Sequence, residues 1–206
     1  MIAAFGDVMR KHIPDNKYLK YAIRDLFKST ATLKLKERQD FSKCYDAVKK
    51  HLGKQRAFFC NGMYRDNHIV SYVIKKKHNN YDVQLYNGDQ FPLPEREGHY
   101  EAIPVQNFTV PEKAFQEFLF KILWDNDFEK WQHLYQKPTS DQPKRYMKRQ
   151  NSQNCAYHNL VEALRGHIMS MPSGEAHWKN LKYYFLKKLT ADKIVNDYSF
   201  GRTIIS

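Results

Sequence analysis

The segment between residues 56 and 87 constrains the fold more than any other part of the chain. It contains three short runs rich in aromatic and β-branched residues, at 56–63, 67–74 and 81–87, separated by polar residues. Runs of this length and composition are typical of β-strands. Residues 77–80 include histidine and asparagine, which tolerate the positive φ angles of tight turns. We therefore expect the second and third strands to form an antiparallel hairpin.

Helical patterns flank these strands. Before them, apolar side chains recur at helical spacing within residues 17–29 and 37–52. After them, a fourth strand is expected at 99–108, and the sequence from Thr109 to Glu112 is typical of a helix start. The remaining predicted helices begin near Cys155, Glu175 and Ala191.

This order of elements predicts an α+β fold, with a small antiparallel sheet flanked by helices, rather than a doubly wound α/β fold. Residues 1–54 are expected to form an N-terminal helical segment, 55–170 the core, and 171–206 a C-terminal helical segment. With 206 residues and 42% apolar content, the chain is large enough to form one compact domain with a buried core.

The composition argues against several classes of protein. No apolar run is long enough to span a bilayer, and the first residues lack the apolar block of a secretory signal peptide. The three cysteines are far apart in sequence, which indicates reduced thiols in a cytoplasmic setting rather than disulfides or a zinc site. No glycine-rich loop follows a predicted strand, so we expect neither a nucleotide nor another cofactor.

The formal net charge of +12 favours an acidic partner, such as nucleic acid, anionic lipid, a polyphosphate or an acidic protein surface. Two basic runs are the candidate anion-binding residues: Lys75, Lys76 and Lys77 on the predicted hairpin, and Lys148 with Arg149 before the later helices. Runs of this kind also occur on ordinary solvated surfaces. A basic module that binds nucleic acid or anionic lipid, without catalytic activity, is one interpretation of the chain.

Cys155 is the candidate nucleophile. A polar, turn-forming run that includes Asn151, Ser152 and Asn154 precedes it, and apolar residues follow at helical spacing. Cys155 is therefore expected on the first turn of a largely buried helix, where free N–H groups and the helix dipole favour a thiolate. Gln150, five residues earlier, is a natural donor to an oxyanion. A cysteine that only packs in the core is the alternative interpretation.

His68 is the candidate base, since it opens the second predicted strand directly after a polar run. In a hairpin with a two-residue loop within 77–80, the residue opposite His68 is an odd-numbered one near 87–91. Asn87 and Asp89 share that face, so each lies opposite His68 or one diagonal step away. An amide or a carboxylate at either position can orient the imidazole ring, and the pattern leaves open which of the two does so.

The order of these candidates resembles that of the adenain/Ulp-type cysteine peptidases of clan CE. The residues that carry the resemblance are His68, Asn87 or Asp89, Gln150 and Cys155. The family includes SUMO and ubiquitin-like proteases, bacterial effector deubiquitinases and the YopJ-type acetyltransferases. The similar segments are 58–87 and 150–164, and their pattern of residues most resembles that of the effector deubiquitinases.

The resemblance implies a papain-like fold and a thiol hydrolase that cleaves a peptide or isopeptide bond. It implies the C-terminal tail of ubiquitin or a ubiquitin-like protein as the substrate. Cys155 would be the nucleophile, His68 the base, Asn87 or Asp89 the orienting residue, and Gln150 the oxyanion donor. The location implied is the cytoplasm, or a host cell into which the protein is secreted without a classical signal peptide.

A second activity stays open within the same resemblance. YopJ-type enzymes use this triad for acyl transfer and have a basic pocket for inositol hexakisphosphate, which a net charge of +12 would suit. The chain also departs from the family's usual residues at three positions. Ile69 replaces a tryptophan, Asn87 replaces an acid, and Ala156 replaces a glycine.

Overall fold

The centre of the fold is a four-stranded antiparallel sheet. The computed structural model describes residues 16–33, 40–65, 68–88, 102–125, 146–148 and 155–191. The sheet contains β1 (Ala57–Arg65), β2 (His68–Lys77), β3 (Asn80–Tyr86) and β5 (Gln106–Pro111), in the order β1-β2-β3-β5. Two shorter strands, β4 (Ala102–Pro104) and β6 (Tyr146–Lys148), pair antiparallel with each other.

Five described α-helices surround the sheet: α1 (Lys17–Leu33), α2 (Phe41–Leu52), α3 (Phe115–Phe120), α4 (Cys155–Met169) and α5 (Gly174–Ala191). A 3-10 turn leads into α3, and a π-helical turn follows it. The predicted α+β class is confirmed. Among the helices described, none combines the length and the apolar character needed to cross a bilayer.

The hairpin predicted from residues 77–80 is present. Lys77 pairs with Asn80 across a two-residue turn, and His78 takes a φ of 52° at its first position. Among the non-glycine residues, histidine, asparagine and aspartate adopt a positive φ most readily. The turn sets the register of β2 against β3, which continues to the pair Ser71–Tyr86.

Both faces of the sheet are buried. Successive strand residues point to opposite sides, and each side packs against helices. Phe58, Tyr72 and Leu85 pack with α2 and α3 in one apolar cluster. Phe59 and Tyr86 pack with α1, α4 and α5 in the other cluster. The continuous apolar runs of the strands, rather than strict alternation with polar residues, are explained by this two-sided burial.

The outer edge of β1 is covered by polar side chains from the two N-terminal helices. The N–H of Ala57 donates to Asp25 Oδ2 at 3.1 Å, and the N–H of Phe59 donates to Ser29 Oγ at 2.9 Å. The carbonyl oxygen of Ala57 accepts from His51 Nε2 at 2.8 Å. An exposed strand edge is a template for unwanted pairing, and these contacts remove that hazard along part of β1.

One predicted helix start is wrong. Thr109 does not cap a helix but lies in β5, where it pairs with Asp82, and helical structure begins only at Glu112. Val110 is fully buried against the sheet, so its packing as a strand residue outweighs the local capping pattern. The single strand expected over 99–108 is two short strands, β4 and β5, which belong to different sheets.

His51 should make the stability of the fold depend on pH. Its burial, opposed by the hydrogen bond to Ala57 and the charge of Asp25, holds its pKa below the ordinary 6.5. As the pH falls, the unfolded chain therefore takes up this proton before the folded chain does, and the free energy of unfolding decreases. The contribution of His51 is complete above pH 6.5 and is lost progressively at lower pH.

Urea denaturation from about pH 7 to about pH 5 measures this dependence. His51→Gln keeps a donor for the carbonyl oxygen of Ala57 but cannot titrate, so its unfolding free energy should fall less steeply over the same range. Identical slopes for the two proteins would contradict the assignment.

Gly166 allows α4 to approach the sheet closely. A Cβ at this position would collide with the hydroxyl oxygen of Tyr86 and would lie 2.9 Å from its Cζ. Tyr86 is 1% exposed and donates to Gln84 Oε1, so its ring has little room to move. Gly166→Ala should cost about 1–3 kcal/mol of stability, even though alanine is the better helix former.

Tyr86→Phe removes the hydroxyl group that the added methyl group would meet. In that background, Gly166→Ala should therefore cost clearly less, which a double-mutant cycle of thermal or urea unfolding measures. Additive losses would mean that the collision does not cause the destabilisation.

Candidate active site

His68 and Asn87 form a hydrogen-bonded pair where β2 begins and β3 ends. His68 Nε2 lies 2.7 Å from Asn87 Oδ1, and the Asn87 side chain is buried. The register of the hairpin, continued by one residue past its last pair, brings Asn87 opposite Val70 and one diagonal step from His68. The diagonal pairing is one of the two arrangements that the sequence allowed, and it brings the two side chains together.

The pair determines which ring nitrogen of His68 carries the proton. An amide oxygen can only accept a hydrogen bond, so Nε2 donates to Asn87 Oδ1. The neutral ring then has its lone pair on Nδ1, which is the nitrogen that can take a proton from a nucleophile. The arrangement has the geometry of a general base with an orienting partner.

The ends of β2 and β3 are held together by a side chain from α4. Ladder pairing stops at Ser71–Tyr86, and beyond it Asn159 bridges the two strands. Asn159 Nδ2 donates to the carbonyl oxygen of Ile69 at 2.7 Å, and Asn159 Oδ1 accepts from the N–H of Gly88 at 2.9 Å. Asn159 has no solvent exposure. Its amide therefore takes the place of the next ladder hydrogen bonds.

This bridge joins α4 to the histidine pair itself. Ile69 directly follows His68, and Gly88 directly follows Asn87, so both hydrogen bonds of Asn159 reach residues adjacent to the pair. Strand alternation places His68 with Val70 and Tyr72, on the face that packs against α2 and α3. The backbone groups that Asn159 bonds lie between the ends of β2 and β3. The helix α4 therefore contacts the end of the sheet near His68, in addition to the face of the sheet opposite to His68.

Cys155 is the first residue of α4, as predicted. It precedes Asn159 by one helical turn, so the two positions share a face of the helix and are separated by a rise of about 6 Å. The helix thus begins with the candidate nucleophile one turn from the bridge to His68 and Asn87. The side chain of Cys155 lies outside the described part of the structure.

Three of the predicted site residues also lie outside the described residues: Gln150, Asp89 and Arg149. The oxyanion role of Gln150 therefore stays a prediction, as does the alternative role of Asp89 as the orienting residue. The two other cysteines, Cys44 and Cys60, are buried in the core and are not joined in a disulfide.

The predicted anion-binding lysines of the hairpin each contact a different partner. Lys76 Nζ lies 3.2 Å from Glu112, Lys77 Nζ lies 3.7 Å from Asp82, and Lys75 Nζ donates to Ser170 Oγ at 3.3 Å. The charge of Lys76, through its hydrogen bond, holds the pKa of Glu112 below its usual value. Lys148 lies in β6. The three hairpin lysines do not converge on one common point.

Asn159 was not singled out from the sequence. Its position four residues after Cys155 placed it on the buried stripe of the predicted helix, where a polar side chain needs a partner. A polar residue on the buried side of the predicted helix is the one sequence feature that points to Asn159. It does not indicate which backbone groups the amide would contact. Within the described ranges, no group of three or more histidine, cysteine or acidic residues is arranged to hold a metal ion.

Comparison of the chain with protein-family models, with curated proteins and with solved structures finds no match.

Proposed function

We propose that this protein is a thiol hydrolase of the papain-like, clan CE type, in which Cys155, His68 and Asn87 form a catalytic triad. The observation that carries the proposal is the double hydrogen bond of Asn159, which ties the helix beginning at Cys155 to the residues next to His68 and Asn87. Orientation of His68 by Asn87 is the second support. Three positions that are distant along the chain are thereby connected through one buried side chain.

In this mechanism, Nδ1 of His68 takes the proton of the Cys155 thiol, and the thiolate attacks the carbonyl carbon of the substrate. The tetrahedral intermediate collapses as the amine leaves with the proton from His68, which produces a thioester on Cys155. Water then attacks the thioester and gives up its proton to His68, and the thiol returns as the carboxylic acid leaves. The backbone N–H groups at the start of α4, together with Gln150, stabilise the oxyanion.

The proposed substrate is a peptide or isopeptide bond at the C-terminal tail of ubiquitin or a ubiquitin-like protein. The order of the candidate residues along the chain supports this choice. Acyl transfer by the same triad is the competing reaction, because a thioester can be attacked by an amine or a hydroxyl group as well as by water. The two reactions differ in the second half of the cycle.

Alkylation of the native protein tests the triad without assuming a substrate. Cys44 and Cys60 are 0% and 2% exposed, so iodoacetamide should modify only Cys155 in the folded chain. Peptide mapping should place the label there, with a rate that changes little from about pH 8 down to about pH 6, because His68 stabilises the thiolate. No modification of Cys155, or the steep pH dependence of an isolated thiol, would overturn the proposal.

Probes that carry an electrophile on a ubiquitin-like tail then test the substrate class. Covalent labelling of Cys155 by a ubiquitin, SUMO or related probe supports the proposed substrate. Rapid alkylation without labelling by any tail probe would retain the triad and reject these tails. Transfer of radiolabelled acetyl groups from acetyl-CoA to the protein, abolished by Cys155→Ala, would replace hydrolysis by acyl transfer.

A further inference from the structure

The solvent-exposed face of α1 carries a stripe of positive charge that the proposed chemistry does not use. Lys17, Arg24 and Lys28, together with Tyr21, are exposed and lie within an arc of about 60° around the helix. The single acidic residue of the helix, Asp25, is buried and accepts the N–H of Ala57. The charged residues on the exposed face of α1 are therefore all cations.

Two further cations extend this face beyond the helix. Because Ala57 is hydrogen-bonded to Asp25, the residues just before β1 lie beside the turn of α1 that holds Arg24 and Lys28. These residues include Lys54, which is exposed, and Arg56, which is half-buried. The charge of Arg56, followed by desolvation, Arg24 and Lys54, holds the pKa of Lys28 below its usual value, as expected for cations that crowd each other.

We call this surface the basic stripe: Lys17, Tyr21, Arg24, Lys28, Lys54 and Arg56. Two cations on other described helices have an acidic partner. Lys43 pairs with Asp40 at 2.8 Å on α2, and Lys179 pairs with Glu175 at 2.8 Å on α5. In the part of the chain that the structure describes, no exposed carboxylate forms an ion pair with a cation of the basic stripe. An external anion would reduce the repulsion among the cations of the basic stripe.

An exposed aromatic ring lies in the middle of these charges. Tyr21 is 47% exposed, and the guanidinium carbon of Arg24 lies 4.6 Å from its ring centroid. Tyrosine beside basic side chains is characteristic of the interface between membrane and water, where the ring sits among the headgroups. A cluster of four to eight cations on one surface attracts anionic lipid, and the basic stripe has five.

We propose that the basic stripe docks this protein on the surface of an anionic bilayer, with α1 lying parallel to the membrane. The cations contact the lipid phosphates and carboxylates, while Tyr21 inserts among the headgroups. The contact is reversible and electrostatic, and it does not depend on Cys155 or His68.

Vesicle sedimentation of the full chain tests this proposal. Binding to vesicles of phosphatidylcholine with about one third phosphatidylserine should exceed binding to pure phosphatidylcholine, and should fall as salt is added. Each basic side chain near the surface contributes about fivefold to the partition coefficient. The double variant Arg24→Gln/Lys28→Gln should therefore bind about ten- to thirtyfold more weakly.

The matched control is Lys76→Gln/Lys77→Gln, which removes the same formal charge from a different surface. Its binding should stay within about threefold of the unchanged protein, since those lysines already face Glu112 and Asp82. Thermal unfolding confirms that both variants fold, and iodoacetamide labelling of Cys155 should be the same in all three proteins.

Three results would overturn the proposal. Equal losses in the two double variants would show attraction by net charge alone. Equal binding to neutral and anionic vesicles would exclude the headgroup contact. Tighter binding to duplex DNA or RNA than to vesicles of the same phosphate concentration, lost in Arg24→Gln/Lys28→Gln, would assign the basic stripe to nucleic acid instead.

Discussion

Replacing His68 with alanine should lower kcat/KM for a fluorogenic amide of the ubiquitin tail by about 10²–10⁴-fold, because no other group then takes the proton of Cys155. Alkylation of Cys155 should shift to higher pH in the same variant, towards the behaviour of a free thiol, whose pKa is about 8.5. The loss should not add to that of Cys155→Ala, since the two residues act as one unit in the proposed mechanism.

Asn87 variants separate orientation of the ring from proton transfer. Asn87→Ala removes the acceptor for Nε2 of His68. It should lower kcat/KM about a hundredfold, because the ring is no longer held in place. Asn87→Asp keeps an acceptor at the same position, so it should retain much more of the activity than Asn87→Ala.

The control for the histidine is His78→Asn, which preserves a residue that tolerates the positive φ of the turn. His78 is exposed and lies at the other end of β2, so its replacement should leave kcat/KM unchanged. Full activity in His68→Ala would contradict the assigned base, and equal activity of Asn87→Ala and Asn87→Asp would contradict the orienting role.

Asn159→Leu should impair both the stability of the fold and the chemistry at Cys155. Leucine has a similar size but leaves the carbonyl oxygen of Ile69 and the N–H of Gly88 without their partner in the bridge. Each unsatisfied buried group costs about 1–3 kcal/mol, so the free energy of unfolding should fall by about 2–6 kcal/mol. Activity at a temperature where the variant is folded should fall by about a hundredfold, because α4 is no longer held beside His68.

Two variants distinguish a positioning role from a general loss of stability. Asn61→Ala removes another amide contact, the one to the hydroxyl group of Ser71, which involves no residue of α4. It should destabilise the fold without changing the pH profile of alkylation at Cys155. Asn159→Asp keeps the acceptor for Gly88 but places a carboxylate against the carbonyl oxygen of Ile69, so it should resemble Asn159→Leu. A normal pH profile in Asn159→Leu would show that the bridge serves stability alone.

The hairpin and the two candidate partners of His68 followed from local rules. A turn at residues 77–80 sets the register, and the period of two along a strand then limits the partners of His68 to Asn87 or Asp89. The start of a helix at Cys155 was also predictable, because a polar run and a buried stripe meet there. These inferences rest on residues that are close in sequence or joined by a short turn.

Other features depend on contacts that no local pattern contains. Thr109 has the neighbours of a helix cap but lies in a strand, since β3 offers it a pairing partner. Asp25 and His51 resemble ordinary helix-surface residues, yet both turn inward to cap the edge of β1. In each case a backbone group from a distant segment decides where a polar side chain goes.

The amino-acid sequence alone determined the α+β class, the antiparallel hairpin with a few allowed registers and the identity of the candidate base, because strand and helix periods and turn chemistry act over a few residues. Only the tertiary structure showed that Asn87 is hydrogen-bonded to His68. It also showed that Asn159 connects α4 to the residues next to this pair. The physical reason is that buried polar groups must find partners, and those partners are available only after the helix packs on the sheet.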